Sequence, residues 1–179
     1  MSNYRRSNTQ GGTWFFTLVA YRRRSIFTHP ASIKILREMI QRVRLEYPFV
    51  IDAWVLLPDH MHFIWTLPHG DNDYSKRIGL IKAGFTQHSK SLFHREEWMN
   101  DSKRKRREST IWQRRFWEHE IGNAQDYNHH MDYVHFNPLK HGWVNRVIDW
   151  PYSSFHRYVK LGVYPDNWAG GEVEGDFGE

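Results

Sequence analysis

The sequence contains no cysteine among its 179 residues. This absence excludes disulfides, thiolate zinc sites, iron–sulfur clusters and cysteine nucleophiles, because each of them needs a thiol. Histidine, amide and carboxylate groups are then the side chains available as metal ligands. A chain without cysteine fits a reducing compartment, so we expect a cytoplasmic protein.

Long apolar runs are also missing. No stretch approaches the roughly 20 consecutive apolar residues that a membrane-spanning helix needs. The first twelve residues are polar, so we expect neither a membrane anchor nor a secretory signal. Aromatic residues make up 16% of the chain and include nine Trp, which excludes a disordered chain because such chains lack bulky apolar side chains.

Charge is distributed unevenly. The formal net charge is +5, but residues 161–179 carry five acids and no Lys or Arg, so residues 1–160 carry +10. A body this basic favours a polyanionic partner, with nucleic acid first and an anionic membrane surface second. We expect one domain over residues 1–160 and an acidic, Gly-rich tail over residues 161–179. The tail either aids solubility or lies over the basic face and competes with DNA.

Hydrophobic periodicity predicts strands over residues 13–20, 49–57 and 60–67, and a short fourth strand around residues 116–119. It predicts helices over residues 31–47, 74–93 and 127–136, the last capped by Asp126 and ended near Pro138, and a short helix from Pro151 to Val159. Residues 94–110 are typical of a solvated, basic loop. This order predicts an α+β fold of the ferredoxin-like, split-βαβ type: an antiparallel sheet with helices on one face and the other face open for a site.

Two histidines at alternate positions open the third predicted strand. Side chains alternate across a strand, so His60 and His62 point to one face while Met61 and Phe63 point into the core. Two such imidazoles can chelate one divalent cation. With twelve histidines in the chain, roughly one His-x-His pair is expected by chance. The alternative therefore stays open that His60 and His62 lie on a polar sheet face and bind no metal.

Tyr133 and Asn137 are four residues apart and therefore share one helix face. The Asn137 amide oxygen is a hard metal ligand. A tyrosine hydroxyl has an ordinary pKa near 10, so it is a plausible nucleophile only where a metal polarises the electrophile. The alternative is a Tyr that buries its ring and hydrogen-bonds its tip. The neighbouring His129, His130 and His141 are expected to be surface or DNA-contacting groups, not ligands.

Basic residues alternate with aromatic residues in three places. Cations neutralise phosphates and aromatic planes stack unpaired bases, which is the combination that single-stranded nucleic acid needs. The alternative for the third group is that its aromatic rings pack the core. The three groups are Tyr4, Arg5 and Arg6; Tyr21, Arg22, Arg23 and Arg24; and Trp112, Arg114, Arg115, Phe116 and Trp117.

Three longer motifs are PDHMHFIW at 58–65, WQRRFWEH at 112–119 and DYVHFNPLKHG at 132–142. Together with residues 4–17, 150–156 and 162–168, they resemble the REP-associated tyrosine transposases. That family is related to the single-tyrosine insertion-sequence transposases of the HUH nuclease class. The resemblance covers about residues 4–170, and its motifs taken together are specific where the histidine pair alone is not.

The resemblance implies roles for individual residues. His60 and His62 would hold Mg²⁺ or Mn²⁺, and Asn137 would be the third ligand, where the insertion-sequence relatives commonly use glutamine. Tyr133 would be the nucleophile that forms a 5′-phosphotyrosine link, without a nucleotide cofactor. Lys140 joins the predicted DNA-binding residues Tyr4, Arg5, Arg6, Arg22, Arg23, Arg24, Arg114 and Arg115.

The expected function is that of a metal-dependent single-stranded DNA endonuclease and strand transferase. It would act on hairpins of repetitive extragenic palindromes (REP elements), in the bacterial cytoplasm, as a monomer, with a dimer left open. Two alternatives remain: a hairpin-binding module without catalysis, and a metal phosphodiesterase that activates water. The stretch over residues 94–110 is longer than the family leads one to expect and the last nine residues have no counterpart, so no DNA contacts are transferred to either.

Overall fold

The computed structural model describes residues 11–170 and residue 177. Its centre is one four-stranded sheet, rich in the aromatic and β-branched residues that fit a pleated, half-buried surface. The strands are Thr13–Val19 (β1), Val50–Leu56 (β2), His60–Thr66 (β3) and Trp117–Ile121 (β4). They lie in the order β2-β3-β1-β4, and all neighbours are antiparallel. The predicted α+β class with an antiparallel, ferredoxin-like sheet is confirmed.

Two long helices, Pro30–Glu46 (α1) and Tyr74–Phe93 (α2), cover the first face of the sheet. They pack on Phe16, Met61 and other large side chains that the strands point to this side. The helices approach closely where Gly84 faces Met39, since a Cβ at Gly84 would overlap the Met39 sulfur. Glycine at this position therefore lets the two helices pack against each other.

Residues 94–110, predicted as a solvated loop, contain a short helix, Asp101–Lys105 (α3). The loop prediction was wrong here because the charged run finds local partners. The Lys103 side chain is buried with its ammonium 4.0 Å from the centroid of the Tyr21 ring. Arg104 pairs with Glu96 at 2.7 Å. The aliphatic part of a lysine can cover apolar surface in this way while its charge meets an aromatic face.

The helix Ala124–Lys140 (α4) lies on the second face of the sheet, which the sequence pattern left open. Its Met131 and Val134 pack with Phe15 and Ile64 in a second core. The helix is longer than predicted at both ends. Any site on this face therefore lies between the sheet and α4.

The ends of α4 differ from the prediction for local reasons. The cap is Asn123, whose Oδ1 accepts a hydrogen bond from the Asp126 backbone N–H at 2.9 Å, and not Asp126 itself. The helix also runs through Pro138. A proline in the last turn removes only one hydrogen bond, which the packing of the preceding turns outweighs.

The last helix, Phe155–Lys160 (α5), begins later than Pro151 because residues 152–154 run along the edge of β2. The Leu56 N–H donates to the Tyr152 carbonyl at 2.9 Å, and the Ser154 N–H donates to the Trp54 carbonyl at 2.9 Å. Beyond α5, the Tyr164 hydroxyl donates to Asp132 on α4 at 2.5 Å. The domain boundary at residue 160 stays a prediction. Over the described ranges, no helix is both long and apolar enough to cross a membrane.

Candidate active site

His60 and His62 lie on β3 and face α4, as the strand alternation predicts. Both are buried, with ring centroids 5.0 Å apart. The Nδ1 atom of His60 lies 2.7 Å from an Asp59 carboxylate oxygen, and that of His62 lies 2.8 Å from the Thr17 hydroxyl. With Nδ1 engaged in this way, Nε2 is the nitrogen that each ring can offer to an ion.

Asp59 fixes the orientation of the His60 ring. Burial would raise the pKa of Asp59, but its hydrogen bond to His60, the charge of His60 and the nearby Arg23 guanidinium outweigh that effect and lower the pKa. The Arg23 guanidinium donates to the other carboxylate oxygen at 3.1 Å. Arg23, predicted to contact DNA, is thus also tied to the residue that orients His60.

Tyr133 and Asn137 of α4 complete this group. The Asn137 amide nitrogen lies 3.3 Å from His62 Nε2, although the two residues are 75 positions apart. Turning the amide over exchanges its nitrogen and oxygen, so Asn137 can present its oxygen at the same point. The Tyr133 ring is 1% exposed, and its centroid lies 5.3 Å from that of His62. The structure therefore brings the four predicted residues together.

Lys140 lies next to the Tyr133 hydroxyl. Its ammonium donates to the hydroxyl oxygen at 3.4 Å and lies 4.9 Å from the ring centroid. Tyr133, Asn137 and Lys140 thus lie on one face of α4 over two successive turns. The sequence placed Lys140 among the DNA contacts, whereas the structure places it against the tyrosine.

Phe177, in the acidic tail, covers one face of the Tyr133 ring. The two rings are stacked, with centroids 3.5 Å apart and planes at 9°. The Phe177 carbonyl accepts a hydrogen bond from the Thr17 hydroxyl at 2.6 Å, and its side chain is buried. One residue of the tail therefore lies inside the candidate site.

The other predicted DNA contacts are spread around the domain. Arg24 donates to the Phe93 carbonyl at 2.7 Å, and burial lowers its pKa. Arg114 pairs with Glu108 at 2.6 Å, while Arg22 and Arg115 are exposed. Tyr4, Arg5 and Arg6 lie outside the described residues. Among the accompanying aromatics, Trp112 is buried in the first core, and Phe116 and Trp117 pack against the two cores.

Comparison with known proteins agrees with this geometry. A family model described as "Transposase IS200 like" matches residues 13–137. The REP-associated tyrosine transposase of Escherichia coli K12 is 48% identical over all of this chain and 98% of its own length. A second relative, from Haemophilus influenzae, is 44% identical over 98% of this chain and 99% of its own length. The chain belongs to the IS200-like transposases, in their REP-associated tyrosine branch.

A solved REP-associated tyrosine transposase bound to a REP hairpin has the same fold. Its TM-score is 0.84 at 48% identity, over all of this chain and 98% of the solved one. Membership makes the protein a transposase, with the endonuclease and strand-transferase activity that transposition requires. The family is metal-dependent, and the donor set here fits a divalent cation: two imidazoles oriented through Nδ1, with one amide oxygen within reach.

Sequence reasoning missed three residues of this candidate site: Thr17, Asp59 and Phe177. Thr17 had a signal in the strand pairing, since it lies directly opposite His62 in the β1–β3 register. The signal for Asp59 was its position immediately before the histidine pair. Phe177 had only its aromatic character in an otherwise small and acidic tail.

Proposed function

We propose that this transposase cleaves and rejoins single-stranded DNA at REP hairpins, with Tyr133 as the nucleophile and with His60, His62 and Asn137 as ligands of Mg²⁺ or Mn²⁺. The observation that carries the proposal is the approach of α4 to β3, which sets Tyr133 and Asn137 against His62. The relative solved with a REP hairpin, 48% identical over the whole chain, supports this class of substrate.

In the proposed step, the Tyr133 oxygen attacks the scissile phosphorus. The new oxygen–phosphorus bond forms as the bond from phosphorus to the 3′ oxygen breaks, leaving a 5′-phosphotyrosine and a 3′-hydroxyl. The phenolic proton passes to solvent, and the departing 3′ oxygen takes up a proton from solvent. A bound divalent ion would supply positive charge at the scissile phosphate. The covalent link keeps a reactive phosphoester for rejoining, so no nucleotide cofactor is needed.

Lys140 has a part in this step that goes beyond DNA contact. Its ammonium lies 3.4 Å from the Tyr133 hydroxyl, where it stabilises the negative charge that develops on the phenolic oxygen. The same contact stabilises the phenolate that leaves when the strand is rejoined.

The DNA is held mainly through its phosphates by the basic body of the protein. The contacts come from Tyr4, Arg5 and Arg6 near the start of the sequence and from Arg22, Arg23, Arg24, Arg114, Arg115 and Lys140. The protein acts as a monomer in the bacterial cytoplasm, on nucleoid DNA. Residues 1–160 form the catalytic and DNA-binding domain, and residues 161–179 form the tail.

A denaturing gel tests the nucleophile. Incubation of the protein with a labelled single-stranded REP hairpin and Mn²⁺ should give a covalent protein–DNA adduct that Tyr133→Phe abolishes. Tyr127→Phe is the matched control, because Tyr127 lies on the same helix and faces Asp52 and Tyr158 instead of the histidines. Cleavage that survives Tyr133→Phe would identify a water-activating phosphodiesterase, and tight binding without any cleavage would identify a hairpin-binding module.

A second substitution separates chemistry from binding. His62→Ala should abolish cleavage while hairpin affinity stays within about 3-fold, because phosphate contacts dominate the affinity of DNA-binding proteins. The measurements are adduct yield and fluorescence anisotropy on the same hairpin. An equal loss of both would contradict the division between a metal site and a DNA-binding body.

A further inference from the structure

A second group of metal-ligating side chains lies at the other end of the α4–sheet contact. It consists of His119 on β4 and of Asp126 and His130 in the first two turns of α4. The sequence predicted a surface or DNA-contacting role for His130, but the residue is 5% exposed. Its ring packs against Phe15 and Phe177, with centroids 4.8 and 5.3 Å away, and this packing excludes water.

The three side chains are already arranged around one point. One ligand atom from each lies within 4.8 Å of the other two. His119 Nε2 lies 2.9 Å from one Asp126 carboxylate oxygen, and His130 Nδ1 lies 2.9 Å from the other. Ligands bonded at about 2.0–2.1 Å to a tetrahedral ion are about 3.3 Å apart, which is close to the separations from Asp126. The His119 and His130 rings are stacked, with centroids 4.6 Å apart and planes at 13°, so at least one ring must rotate to direct its lone pair at a shared ion.

We propose that His119, Asp126 and His130 form a second metal site, specific for a borderline divalent ion of the Zn²⁺ class and separate from His60, His62 and Asn137. Two imidazoles and one carboxylate are a donor set found in Zn²⁺ sites, and the Asp126 carboxylate distinguishes this group from the first one, whose oxygen ligand is a neutral amide. The proposal does not rest on the transposase reaction, and Phe15 lies between the two groups, with its ring 5.3 Å from His62 and 4.8 Å from His130.

Burial lowers the pKa of His130, which favours its neutral form. Burial would raise the pKa of Asp126, but a hydrogen bond from the Gly122 N–H and the neighbouring His119 outweigh it, so the Asp126 pKa is lowered. Coordination requires neutral imidazoles and an ionised carboxylate, so protons compete with the ion for these three side chains.

Coordination changes the hydrogen bonding of His130. His130 Nδ1 now lies 2.9 Å from the Asp126 carbonyl, and this contact is lost when the ring takes the Nε2–H form and Nδ1 binds the ion. That carbonyl belongs to the residue four before His130, so it keeps its helical hydrogen bond to the His130 N–H. An ion held here joins β4 to the start of α4 and stabilises the folded state by mass action.

Calorimetric titration with Zn²⁺ tests the site in the full-length, untagged chain carrying His60→Ala and His62→Ala. These substitutions remove the candidate active-site ligands, so binding that remains reports the second site. We expect one Zn²⁺ per chain with micromolar or tighter affinity. Adding His119→Ala should weaken binding by at least about 100-fold, the upper end of what loss of an outer-shell partner alone costs.

His129→Ala is the matched control, since His129 neighbours His130 on α4 but is outside the cluster. It should leave Zn²⁺ affinity within about 2-fold. Saturating Zn²⁺ should also raise the melting temperature of the His60→Ala, His62→Ala chain, and it should not raise that of the chain that also carries His119→Ala. His119 is 37% exposed in its side chain, so its truncation should not unfold the chain. If circular dichroism shows that the His119→Ala chain is unfolded, His119→Gln replaces it in the titration. The absence of Zn²⁺ binding in the His60→Ala, His62→Ala chain, or affinity unchanged by the loss of His119, overturns the proposal.

Discussion

At the scale of single residues, the candidate site depends on contacts between side chains that are far apart in sequence. Each imidazole of the pair is oriented through Nδ1, His60 by Asp59 and His62 by Thr17. Tyr133 contacts two further groups, the Lys140 ammonium and the Phe177 ring. The proposed nucleophile therefore has a cation at its hydroxyl and an aromatic ring over its face, and each contact has a distinct consequence.

Because Lys140 contacts the Tyr133 hydroxyl, substituting it separates a role in the chemical step from a role in DNA binding. Lys140→Gln should lower the rate of adduct formation at saturating hairpin by about 10- to 100-fold, since a hydrogen bond to a charged group contributes about 1.5–3 kcal/mol. Hairpin affinity should change by less than about 3-fold. Single-turnover rates and anisotropy measure the two effects.

Lys90→Gln controls for the loss of one positive charge, because Lys90 is exposed on α2, across the sheet from Tyr133. It should leave the saturated rate unchanged. An unchanged saturated rate with weaker hairpin binding in Lys140→Gln would instead assign Lys140 to phosphate contact alone.

At the scale of elements, α4 carries most of the site and is held in place by a buried histidine. His135 Nε2 lies 2.9 Å from the Ser154 hydroxyl, next to the start of α5. Burial lowers the pKa of His135 to about 3, so the ring stays neutral in the folded protein at any pH near neutrality. The unfolded chain takes up a proton at this histidine below about pH 6.5.

Stability should therefore fall as the pH is lowered from 6.5 toward 3, because the unfolded state then binds a proton that the folded state excludes. The contribution of His135 is about 1.4 kcal/mol per pH unit in this window and is fully present above it. Urea unfolding at pH 7 and pH 5 should show a smaller loss for His135→Gln than for the natural chain. His69→Gln, at an exposed turn, should lose as much as the natural chain. Equal slopes for all three chains would contradict a neutral, buried His135.

Elements defined by local pattern could be predicted from the sequence. The helix Tyr74–Phe93 has the predicted bounds, and strand alternation placed His60 and His62 on one face of β3. The ends of α4 and α5 could not be predicted, because packing against the sheet and pairing with the edge of β2 override the local signals of Pro138 and Pro151. The sequence motifs predicted Tyr133 and Asn137 as site residues, but the approach of these residues to His62 depends on tertiary packing.

At the scale of the whole molecule, the charge separates into a basic body and an acidic tail. Residues 1–160 carry +10 and residues 161–179 carry five acids. The sequence left two roles for the tail: it either aids solubility or lies over the basic face and competes with DNA through its charge. The structure adds a contact without charge, because Phe177 stacks on Tyr133 and its carbonyl binds the Thr17 hydroxyl. The two effects can be measured separately.

Phe177→Ala should raise the rate of adduct formation. An aromatic pair contributes about 0.5–1.5 kcal/mol, so its loss should increase the population with an uncovered Tyr133, and hence the rate, by about 2- to 10-fold. Deletion of residues 171–179 should raise the rate at least as much and should also raise hairpin affinity at low salt, because it removes four acids.

A third chain, with Glu172→Gln, Glu174→Gln and Asp176→Asn, keeps Phe177 and removes three of those charges. It should reproduce the gain in low-salt affinity without the full gain in rate, because screening by salt acts on charges and not on ring stacking. Adduct rates and salt titrations of affinity on the same hairpin distinguish the contributions. If Phe177→Ala and the deletion both form the adduct at the rate of the unsubstituted chain, Phe177 leaves Tyr133 accessible to DNA. The tail would then act through charge alone or not at all.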